Sequence, residues 1–509
     1  MFFNLKPGRL IELPSGSFLN ENEILQKIDQ RCAYFTACGI KHQDRVFFHM
    51  SNCAEFFLDL LAIWEIGGCV IPIDTRLTEY EIGNLVNAAK PKFSIFADAP
   101  VDTFASQLEN AGIHVLSLHN LDKGKQAAGM IRKSQKSNFS MDDDALILFT
   151  SGTTGDPKGV VHTHRSLRAQ WIGLYRSLGI RSFCRSLCLL PTHFGHGLIC
   201  NSLFPWMFGQ DLYIAPPFDA TLLMRLGRLL DENKITFMSS VPSMWRIALK
   251  TSQPPGSGSV QRVFCGSAPL SADLWRNIKE WTGADEVVNA YGITETGSWL
   301  AGTTVEDYTP ENGLIGIPWG GVIKVARTKT TDRSLNVEDE CEAEESGYVW
   351  VQTPALMKGY FKRQDLTARV VRDGWFLTGD IGLKDNRGFL YLKGREREEI
   401  NKGGMKIYPG DIDNIAERFS ATQDVCTFGY DDPLLGQNIG IALVLKQKDE
   451  QDLAKLYRFM AEHLAKHQMP QKWFLVSEIP RTSRGKINRE KVALACADIA
   501  PTDFQRLPG

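Results

Sequence analysis

The sequence has little net charge and lacks the long apolar runs of membrane proteins. Lys and Arg total 57, Asp and Glu total 59, and the formal net charge of the 509 residues is −2. This balance gives no support for a surface that binds nucleic acid or anionic lipid. The most apolar stretch, residues 56–73, contains Asp59 and Glu65, which a membrane-spanning helix would have to bury. Residues 1–10 are not followed by an apolar core of signal-peptide length, so we expect a cytoplasmic protein with no membrane span.

The chain also lacks Cys-x-x-Cys pairs. Its eleven cysteines are an odd number and are scattered, which is typical of a reducing compartment where cysteine serves as a small core residue. Apolar residues make up 43% and charged residues 23% of the chain, as in ordinary globular proteins. The length exceeds what one hydrophobic core supports, so we expect a large domain and at least one smaller one.

Strand and helix patterns alternate along the first hundred residues. Asn20 and Glu23 form a capping-box pattern ahead of apolar residues at helical spacing. Residues 45–50 and 69–73 have the apolar composition of buried strands, and residues 54–65 between them that of a buried helix. This alternation predicts an α/β fold in which helices cover the faces of parallel-type sheets.

The character of the sequence changes near residue 395. A charged run at residues 395–399 leads into Gly403-Gly404 and then into a compact strand-helix pattern that ends near residue 497. Such a segment of about one hundred residues is typical of a small domain. The predicted division is therefore a domain at residues 1–394 and a second one at residues 395–509.

A glycine-rich segment follows a predicted strand at residues 145–149. It reads Thr-Ser-Gly-Thr-Thr-Gly-Asp-Pro-Lys-Gly from residue 150 to residue 159. Glycines let a backbone turn tightly, and consecutive N–H groups in such a turn bind anions. Hydroxyl groups and one lysine add donors, so the segment is predicted to bind a polyphosphate; a plain surface loop is the simpler alternative. The predicted phosphate contacts are Thr150, Ser151, Gly152, Thr153, Thr154, Gly155 and Lys158.

This segment is neither a Walker A motif nor a GxGxxG fingerprint, but it resembles the signature loop of the adenylate-forming superfamily. That superfamily includes acyl-CoA synthetases, the adenylation domains of peptide synthetases and firefly luciferase. Five further segments resemble the family's motifs in the family's order, and together they extend over nearly the whole chain. The five are Gly266-Ser267-Ala268-Pro269-Leu270, Asn289 to Thr296, Gly374 to Asp380, Gly394-Arg395 and Pro480 to Arg489.

The resemblance implies a large N-terminal domain and a small mobile α+β C-terminal domain that close around ATP. In the family the segments at residues 266 and 289 contact adenine, and an aromatic face such as that of Tyr291 suits a purine. Taken alone, Tyr291 has the simpler interpretation of a core aromatic. The residues assigned to adenine in this way are Gly266, Ser267, Ala268, Asn289, Tyr291 and Gly292.

The resemblance also assigns residues to the rest of the nucleotide and to catalysis. Thr294 would contact phosphate, and Glu295 would hold Mg²⁺, an ion that prefers oxygen ligands. Asp380 would accept hydrogen bonds from both ribose hydroxyls, with Arg395 beside it. Lys486 corresponds to the catalytic lysine. Individually these residues could be turn or surface residues, but six segments in one order favour the family interpretation.

Two departures from the family pattern affect the prediction. The hinge position, two residues after the Gly-Arg arginine, is usually Asp or Lys and is Arg397 here; we still expect a hinge there. Amino-acid-activating relatives usually have an Asp after the gating aromatic, which is Phe194 here, but this chain has Gly195. A buried ammonium without a counter-charge is costly, so we predict a non-amino acid as substrate. The predicted acid-pocket residues are Phe194, His196, Val241 and Ser243, with Trp299 as a further candidate.

The predicted activity is ATP-dependent ligation of a carboxylic acid to the thiol of coenzyme A through an acyl-adenylate, with Mg²⁺ as the metal. A relative that loads the phosphopantetheine of an acyl carrier protein remains an alternative, because both acceptors present the same thiol arm. Alternatives from other classes are an ATP hydrolase or kinase, and a non-catalytic nucleotide-binding scaffold. The sequence does not choose between small organic acids and fatty acids.

Overall fold

The structure is a computed structural model that describes residues 6–97, 102–117, 140–150, 157–304, 308–330, 335–403, 405–446, 450–481 and 486–502. Two sheets with covering helices form a large N-terminal domain, and a third sheet forms a smaller C-terminal domain. This arrangement confirms the predicted fold class. The helices in the described residues fall short of the length and apolar character that crossing a bilayer requires.

The strands of the large domain are short and alternate with helices. They are β1 Leu10–Glu12, β2 Phe18–Leu19, β3 Arg45–His49, β4 Cys69–Pro72, β5 Phe93–Phe96, β6 His114–Ser117, β7 Asp144–Thr150, β8 Lys158–Thr163, β9 Arg185–Cys188, β10 Asp211–Ile214, β11 Phe237–Ser240, β12 Arg262–Gly266, β13 Glu286–Ile293, β14 Ser298–Gly302, β15 Leu314–Pro318, β16 Val322–Ala326, β17 Gly347–Gln352, β18 Gly359–Tyr360, β19 Val371–Arg372, β20 Trp375–Lys384 and β21 Leu390–Arg395. Those of the small domain are β22 Ile400–Lys402, β23 Met405–Ile407, β24 Thr422–Asp432, β25 Gly436–Leu445 and β26 Lys472–Leu475.

The α-helices in the described residues lie between these strands. They are α1 Glu21–Ala37, α2 Ala54–Glu65, α3 Glu79–Ala89, α4 Asp102–Asn110, α5 His164–Leu178, α6 Phe204–Met207, α7 Ala220–Leu223, α8 Leu226–Glu232, α9 Pro242–Thr251, α10 Ala272–Thr282, α11 Gln364–Ala368, α12 Pro409–Glu417, α13 Glu450–His463 and α14 Arg489–Ala497. A π-helix, His196–Leu203, precedes α6.

One sheet of the large domain has the order β18-β8-β7-β4-β3-β5-β6. Its strands from β7 to β6 are parallel, and β7, β8 and β18 are antiparallel. The other sheet has a parallel part, β13-β12-β11-β9-β10-β1, and an antiparallel part that begins at β14. The parallel parts follow the alternation predicted from the sequence. The antiparallel part, which runs through β20 and β21, was not predicted.

Local signals in the sequence fix the first two helices. The side chain of Asn20 accepts a hydrogen bond from the backbone N–H of Glu23, and the Glu23 carboxylate accepts one from the N–H of Asn20, which confirms the capping box at α1. Helix α2 is buried along nearly its whole length. Its Asp59 is paired at 2.7 Å with Nε of Arg31 in α1. The acid within this apolar run therefore forms a buried ion pair between α1 and α2.

The small domain has its own hydrophobic core. Helices α12 and α13 and the strands of the third sheet bury Ile412, Val425, Ile441, Leu453 and Trp473. Because this core is separate from those of the two larger sheets, the small domain can change its orientation without loss of its own packing. The exact boundary at residue 395 stays a prediction.

Substitution of His49 tests the pH dependence of the large domain's stability. His49 is buried at the end of β3, stacks on Phe96 at 4.4 Å between ring centroids, and burial lowers its pKa to about 4. An unfolded histidine has a pKa near 6.5, so below that pH the unfolded state takes up a proton that the folded state refuses. We expect this histidine to make the free energy of unfolding fall by about 1.4 kcal/mol per pH unit from pH 6.5 to pH 4.

The matching experiment is denaturant unfolding of the wild type and of His49→Phe at several pH values. The phenylalanine keeps the stack on Phe96 and cannot be protonated. The difference in unfolding free energy between the two proteins should change over this pH window and be constant above pH 7. A constant difference at every pH would show that His49 does not stay neutral in the folded protein.

Candidate active site

The glycine-rich segment begins at the last residue of β7 and ends at the start of β8, and these two strands pair antiparallel. Thr150 and Lys158 face each other across the hairpin, and the Thr150 hydroxyl donates to the Lys158 carbonyl oxygen at 3.4 Å. Both ends of the predicted phosphate loop are thereby held together by strand pairing. Five of its predicted contacts lie outside the described residues and stay predictions: Ser151, Gly152, Thr153, Thr154 and Gly155.

The hairpin also positions Thr294 and Glu295. His162, in β8, donates from Nε2 to the Thr294 carbonyl oxygen at 2.8 Å. Strand β18 pairs with β8, and its Tyr360 donates its hydroxyl to Oε1 of Glu295 at 2.8 Å. The N–H of Met357, just before β18, donates to the Glu295 carbonyl oxygen at 2.7 Å. The predicted phosphate-contacting and metal-binding residues therefore lie beside the predicted phosphate loop.

Glu295 fits the role of a magnesium ligand. No three His, Cys, Asp or Glu side chains converge as a metal site in the residues that the structure describes. Mg²⁺ usually takes one or two protein carboxylates and completes its shell with water and substrate phosphate oxygens, so a single glutamate beside a phosphate loop is sufficient. The hydrogen bond from Tyr360 uses one oxygen of Glu295 and holds the carboxylate in place.

The two residues predicted for the ribose, Asp380 and Arg395, contact each other and Tyr291, which was predicted for adenine. Asp380 and Arg395 are cross-strand partners in β20 and β21. Asp380 Oδ1 is paired with Arg395 Nε at 2.7 Å, and its Oδ2 accepts from the Tyr291 hydroxyl at 2.5 Å. Arg395 also donates to the Thr378 carbonyl oxygen at 3.0 Å. The structure thus joins three residues that the sequence analysis assigned separately.

Burial and charge set the protonation of this cluster. Burial raises the pKa of Tyr291 well above its usual value, and the Asp380 carboxylate raises it further. The same carboxylate raises the pKa of Arg395. The phenol therefore stays protonated and donates, the guanidinium stays charged, and Asp380 remains the acceptor of the cluster.

The predicted adenine segments lie at the ends of β12 and β13. Gly266 and Gly292 pack so closely that a Cβ at either position would overlap a backbone carbonyl, that of Ala290 or of Ser298. Ser267 has a φ of +67°, and Ala268 follows it. Asn289 is also buried, and its amide donates to the Leu314 carbonyl oxygen at 2.7 Å, which gives this predicted nucleotide contact a structural role as well.

The predicted acid pocket surrounds His196, the first residue of the π-helix. One ring nitrogen of His196 is hydrogen-bonded to the Ser267 hydroxyl at 2.8 Å and the other to the Ser239 hydroxyl at 2.5 Å. The rings of Phe194 and Trp299 lie edge-on to the imidazole, at centroid distances of 5.7 and 5.9 Å. His196 therefore connects the predicted acid pocket to the adenine segment.

The two other predicted pocket residues lie close along the chain to Ser239, which is hydrogen-bonded to His196. Val241 is buried and caps α9 immediately after β11, the strand that contains Ser239. Ser243 follows in the first turn of α9 and is partly exposed. No contact between either residue and His196 is described, so their place in the pocket stays a prediction.

Lys486 reaches the site from the small domain. Burial, with a smaller contribution from the charge of Lys486, lowers the pKa of His196 to about 3. His196 is therefore a neutral hydrogen-bonding group at physiological pH. The two domains are in contact in this structure, because Arg246 of α9 is paired with Glu417 of the small domain at 2.6 Å.

Two protein-family models match this chain. Residues 16–361 match the family model described as AMP-binding enzyme, and residues 411–486 match the model described as AMP-binding enzyme C-terminal domain. The chain belongs to the AMP-binding enzyme family. The matches confirm the resemblance to the adenylate-forming superfamily. The C-terminal match ends at Lys486.

Curated relatives of this AMP-binding enzyme are CoA ligases. The chain is 28% identical over 473 residues to the long-chain-fatty-acid–CoA ligase FadD13 of Mycobacterium tuberculosis, covering 91% of this chain and 90% of the relative. It is 27% identical over 475 residues to a 2-succinylbenzoate–CoA ligase of Bacillus mycoides, covering 92% of each. The chain is accordingly an AMP-forming acid–thiol ligase of the acyl-CoA synthetase type.

Solved structures share the fold of this AMP-binding enzyme. ATP-bound MatB from Rhodopseudomonas palustris aligns with a TM-score of 0.86 at 24% identity, over 97% of each chain. The o-succinylbenzoate CoA synthetase MenE of Bacillus subtilis, in complex with its acyl-adenylate, aligns with a TM-score of 0.83 at 23% identity, over 98% of this chain and 97% of that one. At these identities the likeness shows the fold alone.

The connection between the domains of this AMP-binding enzyme contains the predicted hinge. Arg397 is the central residue of a 3₁₀ helix, Glu396–Glu398, that joins β21 to β22. Glu396 is paired with Lys329 of the large domain at 2.5 Å, and Glu398 with Arg489 of the small domain at 3.2 Å. Each side of Arg397 is therefore attached to a different domain, as a hinge requires.

Several residues of the site were missed from the sequence. Tyr360, His162 and Ser239 lie outside the six recognised segments, yet each forms a hydrogen bond to a predicted site residue. Tyr360 follows a glycine and precedes Phe361, and a pattern of this kind occurs in many strands. Only the pairing of β18 with β8 brings it to Glu295.

Proposed function

We propose that this enzyme activates a non-amino carboxylic acid as an acyl-adenylate and transfers the acyl group to the thiol of coenzyme A. The observation that supports this most directly is the cluster in which Asp380 is bound by Arg395 at 2.7 Å and by the Tyr291 hydroxyl at 2.5 Å. Glu295, which is hydrogen-bonded to Tyr360 at 2.8 Å, would supply the carboxylate for Mg²⁺. The names of the two curated relatives described above, both CoA ligases, support the second step.

In the first step a carboxylate oxygen of the acid attacks the α-phosphorus of ATP. The acid is already ionised near pH 7, so no general base is required. A new O–P bond forms, and the bond to the β,γ-diphosphate breaks and releases pyrophosphate. The barrier is electrostatic, because an anion approaches a polyanion. Lys486 and Lys158 would stabilise the charge that develops in the transition state.

The nucleotide would be held by the clusters described above. Asp380 uses one lone pair on each oxygen for Arg395 and Tyr291, which leaves capacity to accept from two ribose hydroxyls. Glu295 would bind Mg²⁺, which neutralises part of the phosphate charge. The fixed cluster excludes water from one side of the ribose, and Arg395 keeps the Asp380 carboxylate oriented.

The surroundings of Gly195 favour an acid without an amino group. A Cβ at this position would lie 3.0 Å from the Leu148 side chain and 3.9 Å from those of Ile199 and Ser298. None of these neighbours is an acid, and His196 is neutral. A substrate ammonium would therefore be buried without a counter-charge, at a large cost in free energy.

The packing behind His196 favours a compact acid. Trp299 is 2% exposed, and its ring packs against Phe264 at 4.7 Å and Phe237 at 5.9 Å between centroids. Aromatic side chains thus fill the space that a long acyl chain would need to occupy beyond the imidazole. We propose a small or aromatic-sized acid over a long-chain fatty acid.

In the second step the sulfur of the thiol attacks the acyl carbonyl carbon, and the bond to AMP breaks. The small domain must first rotate about Arg397 to remove Lys486 from the site, because the closed orientation leaves the acyl-adenylate covered. Coenzyme A is the acceptor named in the relatives. A carrier-protein phosphopantetheine presents the same thiol arm and is the alternative acceptor.

A pyrophosphate-exchange screen tests this function. Purified enzyme with Mg²⁺, ATP and labelled pyrophosphate is offered acids of graded length and polarity, with and without coenzyme A or a phosphopantetheinylated carrier protein. Exchange of label into ATP with a compact non-amino acid, and AMP plus an acyl thioester after addition of coenzyme A, are expected. Failure of every acid to support exchange, or release of ADP, would contradict the proposal.

Arg397→Pro tests the hinge. Proline fixes φ near −65° and removes a backbone N–H, so rotation at this position becomes restricted. We expect thioester formation to fall by roughly tenfold, equal to about 1.4 kcal/mol on the barrier, while pyrophosphate exchange changes little. Arg397→Ala keeps the backbone free and serves as control. If both rates of the proline variant equal those of the wild type, the rotation occurs elsewhere.

A further inference from the structure

An arginine of the large domain forms ion pairs with two acids of the small domain. Nη2 of Arg246, in α9, lies 2.6 Å from Oε1 of Glu417 at the end of α12, and its Nη1 lies 3.6 Å from Oδ1 of Asp424 in β24. None of these residues belongs to the six recognised segments. One guanidinium therefore binds two separate elements of the domain that contains Lys486.

The same contact extends toward the catalytic lysine. Asp424 accepts hydrogen bonds from Nη2 of Arg481 at 2.7 and 2.8 Å. Arg481 forms an antiparallel bridge with Ile487, the residue that follows Lys486. We name Arg246, Glu417, Asp424 and Arg481 the interdomain latch. It connects α9 of the large domain to the bridge beside Lys486.

The latch is largely shielded from water and balanced in charge. The exposed fractions of its four side chains lie between 20% and 26%. Two cations face two anions, and burial raises the pKa of Glu417 while Arg246 opposes that rise. Removal of Arg246 would leave Glu417 without its counter-charge in a partly dry interface, which is more costly than loss of an exposed surface pair.

We propose that Arg246 is a positioning residue that selects the adenylating orientation of the small domain. Arg246 is not among the predicted nucleotide or acid contacts, and the inference rests on the two-step function proposed above. Glu417, Asp424 and Lys486 move together as parts of one domain, so a rotation that takes Lys486 from His196 also separates both acids from Arg246. The ion pairs therefore stabilise only the orientation in which the first step occurs.

The decisive measurement is the ratio of the two half-reactions. In Arg246→Gln, pyrophosphate exchange should fall about tenfold, while thioester formation from supplied acyl-adenylate should stay equal or increase. Lys250→Gln is the matched control, because Lys250 lies one turn further along α9, is exposed, and forms no ion pair within the described residues. Its two rates should equal those of the wild type.

Rescue separates positioning from simple destabilisation. Arg246→Glu should lower exchange further, and the exchanged pair Arg246→Glu with Glu417→Arg should recover much of the loss. Arg246→Lys should be intermediate, because it keeps the charge but loses the forked geometry. Equal loss of both half-reactions in Arg246→Gln, or no recovery in the exchanged pair, would overturn the proposal.

A measurement that does not depend on turnover tests the interdomain latch independently of the proposed function. Hydrogen–deuterium exchange of peptides covering residues 242–251 and 409–424 should be faster in Arg246→Gln than in the wild type, and unchanged in Lys250→Gln. Equal protection in all three proteins would overturn the latch. If the wild type activates no acid, the proposed function is wrong, and this comparison alone then decides whether the latch holds the domains closed.

Discussion

Lys486→Ala should lower pyrophosphate exchange by roughly 10²–10³-fold and leave thioester formation from a supplied acyl-adenylate nearly unchanged. Lys486 is the small-domain cation whose charge is felt at His196, and it would neutralise the transition state in which the acid meets ATP. In the proposed second step the leaving group would be AMP and the small domain would have rotated away. Loss of the ammonium therefore affects only the first transition state.

Exposed Lys466, in the same domain, provides the control. Lys466→Ala removes an equal charge at a distance from the site and should leave both half-reactions unchanged. Lys486→Arg should keep only part of the wild-type exchange activity, because a planar guanidinium does not replace a compact ammonium. An equal decrease of both half-reactions in Lys486→Ala would show that the residue supports the fold or both steps.

Asp380→Asn should weaken ATP binding by about a hundredfold and also lower the free energy of unfolding by about 1–3 kcal/mol. The first effect follows because a carboxylate accepts from charged and hydroxyl donors more strongly than an amide does. The second effect follows because Arg395 loses its counter-charge and Tyr291 loses a charged acceptor. Equilibrium nucleotide binding and denaturant unfolding measure the two effects independently.

A second substitution distinguishes these two roles of Asp380. Asp380→Asn combined with Arg395→Gln removes both charges, so it should recover stability without recovery of ATP affinity. Asp385→Asn, at the turn between β20 and β21, is the matched control: it loses bonds to Arg387 and to the backbone N–H of Phe389, so stability can fall while affinity for ATP does not. Wild-type ATP affinity in Asp380→Asn would exclude a ribose contact.

The sequence was most informative where short segments determine local structure. The capping box at Asn20 and Glu23 depends on four consecutive residues, and it forms as predicted. The strand predicted at residues 145–149 likewise forms, as part of β7. Asp380 and Arg395 were both identified through family resemblance, one segment at a time.

The sequence did not predict which residues that are distant along the chain contact each other. That Asp380 and Arg395 lie opposite each other follows from the register of β20 and β21, and a one-residue shift would point them to opposite faces. The contact of Tyr360 with Glu295, and the interdomain latch, depend on the packing of whole sheets and domains. Hydrophobic periodicity does not indicate which distant residues contact each other.

In the proposed mechanism, the short connection at residues 396–399 would determine how often the Lys486 ammonium meets the nucleotide. Lys486 lies in the small domain, while the predicted nucleotide and acid contacts lie in the large one. A brief tether of this kind keeps the two partners at an effective concentration of millimolar order. Each return of Lys486 is then an intramolecular event whose frequency does not change when the enzyme is diluted.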